Sequence, residues 1–432
     1  MIVRSTQHTL KFANARKQDE TLILLSEWRR VMQLICDDLW INGYRWMENG
    51  STHEFNVSKF KLSLPKYLDY NRFNVDTWLS GRMLSSLVTQ LSGKLRSMLG
   101  KQSARIYVFD RLCGQGEYSE RLWTKIEESM PKKPDLSDAG IEISSKCADF
   151  AETPDGKFYG YVRIKSTGRE HVRIPVCRHS MLKKYTDGSW ERCSGYLIDE
   201  HGVQLRWQKE VPQRTEGTRI GADQGLKTTM SLSNGSVTPD LVIKAPKKNQ
   251  PERIISVNLD TIAAKMARKE RGSHAFARAV IERKNYVNYA LNRLDLRGVK
   301  EIALENVVNV RYGRNTSRKL SHWSNPVIRD SLIRITEELG VQVNQQSSAY
   351  RSQRCSDCGL VRKASRKGKL FICPHCGLAI DADINAAKNH EQLLPDLPRC
   401  DMLSSLSKTE GFFWKSEGLF SLDGSVLRVP DS

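Results

Sequence analysis

The stretch Arg219-Ile-Gly-Ala-Asp-Gln-Gly225, followed by Lys227-Thr-Thr-Met-Ser-Leu232 and Asn234-Gly235, reads as two strands and a tight turn into a third. Short apolar runs broken by glycine mark strands, and Asn-Gly between two such runs is a strong hairpin signal. The third strand is expected to end near Ile243. Asp223 stands at the end of the first strand, between two glycines. Taken alone, an aspartate so placed is more often a turn residue than a functional group.

Toward the C-terminus, Lys244 to Arg253 reads as a basic, proline-bearing loop. Residues 258–294 read as helical with a break at Gly272, and they carry Lys265, Arg268, Lys269, Arg271, Arg278, Arg283 and Lys284. A solvated face usually explains such a run, but its density and single sign favour a phosphate-facing surface. Val299-Lys-Glu-Ile-Ala-Leu-Glu305 is a fourth strand, Asn325 to Leu339 a helix, and Gly340-Val-Gln-Val-Asn344 a fifth strand. A last helix opens in Asp381-Ala-Asp-Ile-Asn-Ala-Ala-Lys388. Three hairpin strands, helix, strand, helix, strand, helix is the order of an RNase H-like α/β domain. That order sets the ends of the first and fourth strands side by side, so Asp223 neighbours Glu305, and the helix bearing Asp383 is expected at the sheet edge. Carboxylate oxygens are the ligands magnesium favours, and two such ions about 4 Å apart suit phosphodiester cleavage. Asp381 competes for the third position; Asp383 is preferred because Asn-Ala-Ala follows it. Each acid alone also fits a structural role, as turn, surface or cap.

Before that helix come Cys355-Ser-Asp-Cys358-Gly359 and Cys373-Pro-His-Cys376-Gly377, matching knuckles separated by 14 residues, one short of the usual ribbon spacing. Four thiolates satisfy tetrahedral zinc with no open position, which makes the site structural, and His375 is superfluous. Zinc is worth roughly 10–16 kcal/mol to the folding of such a unit. Lys363, Arg366, Lys367 and Lys369 on the finger loop are candidate phosphate contacts. The other six cysteines (Cys36, Cys113, Cys147, Cys177, Cys193, Cys400) are scattered, as in a cytosolic chain.

The first half is read less directly. With 432 residues and 39% hydrophobic content the chain supports several folded domains. A net charge of +19 favours a polyanionic partner, nucleic acid before acidic lipid. No apolar run reaches membrane-spanning length, and Met1-Ile-Val-Arg-Ser-Thr6 lacks a signal-peptide core. The expectation is a soluble, cytoplasmic protein. Ile2 to Ser5 reads as a strand and residues 20–47 as a helix with Leu22, Leu25, Trp28, Met32, Ile35 and Leu39 on one stripe. A second helix, capped by Asn74 or Asp76, carries Leu84, Leu87, Leu91, Leu95 and Met98. Between them Lys59, Lys61, Lys66 and Arg72 alternate with Phe60, Tyr67, Tyr70 and Phe73, a mix suited to backbone contact and base stacking. After a Pro131–Gly140 linker, short alternating segments (158–165, 172–176, 196–198, 203–207) suggest a small β-barrel.

Taken together, Gly-x-Asp-x-Gly, Leu-Glu-Asn306, Ser352-Gln-Arg-Cys-Ser-Asp-Cys-Gly359, Cys-Pro-His-Cys-Gly377 and Asp-x-Asn-Ala-Ala-x-Asn389 resemble the RuvC nuclease half of TnpB. TnpB proteins are transposon-encoded, RNA-guided nucleases related to the miniature type V CRISPR effectors. The resemblance covers roughly residues 216–392; before them it is architectural. It implies a multidomain α+β protein: a wedge-type β-barrel (1–15 and 136–215) with a helical recognition insertion (16–135), a RuvC domain (216–350 and 378–395), and a target-nucleic-acid-binding zinc ribbon (351–377). A C-terminal tail (396–432) with Phe412, Phe413, Trp414 and Phe420 has no counterpart, and reads as an extra RNA contact or a poorly ordered end. The resemblance further implies a guide RNA, a flanking DNA motif, and magnesium-dependent cleavage of target DNA at one site formed by Asp223, Glu305 and Asp383. Ala222 and Gln224 depart from the family's apolar residues around the first acid. Two other functions fit the same features: an RNA-guided DNA-binding regulator that does not cut, and a guide-free, structure-selective nuclease.

Overall fold

The computed structural model describes residues 1–48, 75–114, 133–165, 171–247, 250–307, 317–323, 325–398 and 400–428, with 120, 124 and 128 singly. The interleaved cations and aromatics of 59–73 lie outside the described residues. The chain forms two compact units, Met1–Glu210 and Val211–Ser432. Among the described residues no helix is long and apolar enough to cross a membrane.

The first unit is built on strand β1 (Ile2–Thr9), helices α1 (Ala15–Glu48) and α2 (Gly81–Gly114), strands β2 (Ile141–Ile143), β3 (Ala148–Glu152), β4 (Phe158–Lys165) and β5 (His171–Cys177), the short helix α3 (Ser180–Tyr185), and strands β6 (Glu191–Asp199) and β7 (Gly202–Lys209). Two antiparallel sheets, ordered β1-β7-β6-β2 and β3-β4-β5, share one core with the helices. The α1 stripe differs from the sequence reading at Leu22, which is exposed, while Leu24, Val31 and Cys36 are buried. Helix α2 starts later than either expected cap. Residues 75–79 are instead strapped to α1, through Thr77 Oγ1 donating to Glu27 (2.5 Å) and Arg30 donating to the Asp76 carbonyl (2.6 Å). Ser80 then caps α2, accepting from the Met83 and Leu84 amides. Gln90 ties the layers together: its amide oxygen accepts from Trp28 Nε1 (3.2 Å) and its nitrogen donates to Gly140 O (2.8 Å).

The second unit opens with β8 (Thr218–Gln224) and β9 (Met230–Leu232), joined to β12 (Val299–Asn306) and β13 (Gln342–Ser347) in the order β13-β12-β8-β9. β8, β12 and β13 run parallel and β9 antiparallel. Asn234-Gly235 does turn the chain, with Gly235 at φ +87°, where L residues are strained. The third strand expected after it is reduced to a bridge between Ser231 and Val237. Pro239 lacks the N–H needed to continue the ladder, and the chain leaves the sheet. Nor is Lys244–Arg253 a loop: β10 (Leu241–Lys247) and β11 (Gln250–Val257) form a separate antiparallel ribbon. Helices α4 (Leu259–Ala267) and α5 (His274–Leu291) are capped by Asn258 and Ser273 and break around Gly272 (φ +88°). Helix α6 (Asn325–Leu339) crosses from β12 to β13.

The four-cysteine region holds β14 (Leu360–Val361), β15 (Arg366–Lys367), β16 (Leu370–Ile372) and β17 (Ala379–Asp381), and leads into α7 (Ala382–Glu391). Residues 400–428 are folded rather than an ill-ordered tail: α8 (Asp401–Lys408) precedes a hairpin of β18 (Phe412–Lys415) and β19 (Gly418–Phe420). β18 pairs with β14, so the chain end completes a three-stranded sheet on the ribbon. Phe412 and Trp414 are buried there, in the protein's own core.

Candidate active site and zinc centre

Parallel pairing of β8 with β12 puts Ala222 opposite Leu304, so Asp223 and Glu305 emerge together at the strand ends. Gln224, which the sequence marks as a departure, clips the second acid in place. Its backbone amide donates to Glu305 Oε1 (3.2 Å) and its side-chain nitrogen to the Glu305 carbonyl (3.4 Å). Ala222 lies wholly inside the core.

Helix α7 lies over β8, β9 and β12 rather than at the sheet edge. The close approach requires Gly221, where a Cβ would stand 1.8 Å from the Ala387 carbonyl oxygen. Asp381 is the cap of α7, accepting from the amides of Asp383 (2.8 Å) and Ile384 (3.1 Å). Asp383, 5% exposed, is left to face a cleft of about 490 Å³ that Asp223, Glu305, Arg366, Lys369 and His390 also line. Arg366 donates to Asp383 Oδ1 at 2.9 Å, and Lys369 donates to Oδ2. These two finger cations, expected as phosphate contacts, therefore turn inward to a carboxylate.

Asp223 and Glu305 are crowded. Burial, then the charges of Glu305 and Asp383, push the Asp223 carboxyl well above its usual range. Burial pushes Glu305 up to about 7, against the Gln224 amide and Arg366, which oppose it. Carboxylates that resist ionisation this way are relieved by a bound cation. The oxygen-rich donor set fits magnesium.

Cys355, Cys358, Cys373 and Cys376 bring their sulfurs together within 4.8 Å. Cys355 Sγ is 3.5 Å from Cys376 Sγ, and Cys358 Sγ is 3.6 Å from Cys373 Sγ, close to the sulfur spacing of a tetrahedral zinc site. The two knuckles repeat one geometry. Cys355 N donates to Leu360 O (2.8 Å) and Gly359 N to Cys355 O (3.1 Å); Cys373 N and Gly377 N make the equivalent bonds at 2.9 and 3.1 Å. Both glycines have φ near +80°, +83° and +77°. His375 packs edge-on against Phe413 and stands apart from the four thiols.

A buried network that the sequence reading did not single out joins the two sites. Asn385 Oδ1 accepts from Ser356 N (3.0 Å), and Asn389 Nδ2 donates to the carbonyls of Arg354 (2.7 Å) and Arg351 (3.1 Å). Arg354 donates to Asn389 Oδ1 (2.5 Å) and Trp414 O (2.7 Å). Its guanidinium and that of Arg351 lie 5.9 and 5.1 Å from the Trp414 ring centre. The Asn-Ala-Ala-x-Asn run thus fastens the first knuckle to the helix of Asp383. His390 was also missed. It lies in the cleft, seven residues after Asp383 on α7, a spacing the sequence displays. Burial and the Arg351 charge hold its pKa near 3.

The remaining basic residues stay outside this cleft's lining. Lys265 is ion-paired with Glu282, Arg268 and Arg271 are exposed at the α4–α5 break, and the half-buried Lys269 accepts from Arg318 through its carbonyl (3.0 Å). Lys363 and Lys367 are exposed on the finger.

Residues 328–390 match the family described as Cas12f1-like, TNB domain. Over 105 residues, 24% of this chain and 24% of the relative, the chain is 34% identical to a CRISPR-associated endodeoxyribonuclease Cas12f1 of Sulfoacidibacillus thermotolerans. Over 192 residues it is 23% identical to a TnpB-like protein of Acanthamoeba polyphaga mimivirus, covering 40% of this chain and 37% of that one. The matches thus span well under half the length of these curated relatives. A cryo-EM structure of a Cas12f1–sgRNA–target DNA complex superposes with a TM-score of 0.52 at 11% identity, over 88% of this chain and 83% of that one, a likeness of fold. Over these stretches the chain is similar to the TnpB-like proteins and to the miniature type V effector Cas12f1.

Proposed function

We propose that this protein is an RNA-guided DNA endonuclease that cuts at a single magnesium-dependent RuvC site formed by Asp223, Glu305 and Asp383. The observation that carries the reading is the convergence of three carboxylates from β8, β12 and α7 on one cleft, two of them held above their usual pKa range. Divalent cations bound there would supply water activation and stabilise the leaving oxygen. Glu305 is oriented by Gln224, and Asp383 by the cap at Asp381. Arg366 and Lys369 hold Asp383 and offer positive charge to a scissile phosphate in the same cleft.

The four-cysteine site would hold zinc and keep the finger, with its exposed Lys363 and Lys367, folded as a nucleic-acid contact. Lys265, Arg268, Lys269 and Arg271 would contact phosphates near the α4–α5 break. In the first unit, the two sheets over one core are consistent with a wedge-type barrel, and α1 and α2 with its recognition insertion. Guide pairing would read sequence while protein contacts go mainly to backbone and a flanking motif.

The test is to purify the protein with its RNA, sequence that RNA, and present a plasmid matching its guide segment. The expected result is cleavage that needs magnesium, the match and the RNA. Binding of the matched plasmid without cleavage would favour the regulator. Equal cleavage after RNA removal would favour a guide-free nuclease.

A further inference from the structure

Asp383 and His390 are seven residues apart on α7, about two turns, so they share a face of the helix. That face lies on β8, where Gly221 admits the helix backbone. His390 is 1% exposed, and its Nδ1 has no hydrogen-bond partner. One of its ring nitrogens lies within 4.8 Å of carboxylate oxygens of both Asp223 and Glu305, which are equally close to each other. Asp383 is not within that group. Among the described residues, the cleft's two ion pairs, from Arg366 and Lys369, both go to Asp383. The cleft therefore has two chemically different ends: an oxygen end with its own cations, and a mixed nitrogen and oxygen end where two acids meet a buried imidazole.

We propose that His390 is a nitrogen ligand, together with Asp223 and Glu305, of a divalent-cation position, and that this position prefers manganese-class first-row ions to magnesium. The proposal rests on reading the cleft as a cation-binding nuclease site. Imidazole suits first-row transition metals, whereas magnesium favours all-oxygen shells. Three protein donors leave open positions for water or a phosphate oxygen. A cation there also gives the buried imidazole a partner. Asp383, which lies outside that group, would serve a second cation.

The experiment uses the full-length protein with its RNA, prepared with 15N-labelled histidine so that nucleobase nitrogens do not contribute. Mn2+ is added and electron spin-echo modulation recorded. A 15N coupling of directly bound imidazole is expected in the wild type and not in His390→Gln. Manganese affinity in that variant should fall about tenfold or more, and magnesium affinity should change less. Manganese bound by the wild type without 15N coupling overturns the proposal and leaves the carboxylate site standing. The wild-type spectrum decides this alone if His390→Gln does not fold. Manganese binding that Asp223→Ala leaves unchanged overturns both the proposal and the reading on which it rests.

Discussion

At Gly221 a hydrogen atom occupies the place where any side chain would strike the backbone of α7. The contact is with a carbonyl oxygen, so the helix itself must move. Gly221→Ala is expected to destabilise the second unit by about 3 kcal/mol, as overpacking against backbone does, read as a shift in urea midpoint. A change under about 0.5 kcal/mol would mean that α7 is not seated as described. Glu305 supports a second prediction. Its pKa rises from an ordinary 4.5 to about 7, so between those values the folded protein holds a proton that the unfolded chain has released. Stability contributed by this group therefore falls as pH rises through that window. His8 and His390, held near 4 and near 3, act oppositely up to about pH 6.5. The readout is thus the melting-temperature difference between chelator-treated wild type and Glu305→Gln, in which the histidine contributions cancel. Relative to the variant, the wild type should lose stability between pH 5 and 7.5; a flat difference would contradict the assignment. The meeting of Asp223 and Glu305 was legible in the sequence because strand order dictates which strand ends are neighbours, whereas the seat of Asp383 was not, since α7 lies over the sheet instead of at its edge. The role of Gln224 was not, because a hydrogen bond across a parallel strand pair depends on register, which composition does not encode.

Among the elements, the C-terminal hairpin was the least legible. Phe412, Phe413 and Trp414 announce an apolar strand, but its partner is the two-residue β14 some fifty positions earlier, too short to carry a pattern of its own. The hairpin fills the slot beneath Arg351 and Arg354, two buried guanidinium groups satisfied by carbonyls, an amide and one indole face. Trp414→Ala should cost about 4 kcal/mol, the range for emptying a buried tryptophan site, with zinc released at lower denaturant than from the wild type. Loss of less than 1 kcal/mol with unchanged zinc retention would show that the hairpin is a passive attachment. The aborted third strand teaches a related point. Asn234-Gly235 fixed the turn locally, yet Pro239 and the β10–β11 ribbon decided where the chain went next. The gathering of the four cysteines was legible, since their spacing is local and the two Cys-x-x-Cys-Gly turns repeat the same backbone geometry.

For the whole molecule, the net charge of +19 and the cleft of three acids ask for opposite partners: a polyanion on the surface and divalent cations within. A nuclease reconciles them, because cations that neutralise the carboxylates also let a phosphate approach. The most direct measurement is magnesium-dependent cleavage of a guide-matched plasmid by wild type and Asp223→Ala, with RNA binding followed in parallel. The account predicts that the variant loses cleavage by about 10³-fold or more, the scale of removing a group central to transition-state stabilisation, while holding its RNA as tightly as the wild type. Undiminished cleavage by Asp223→Ala would contradict it.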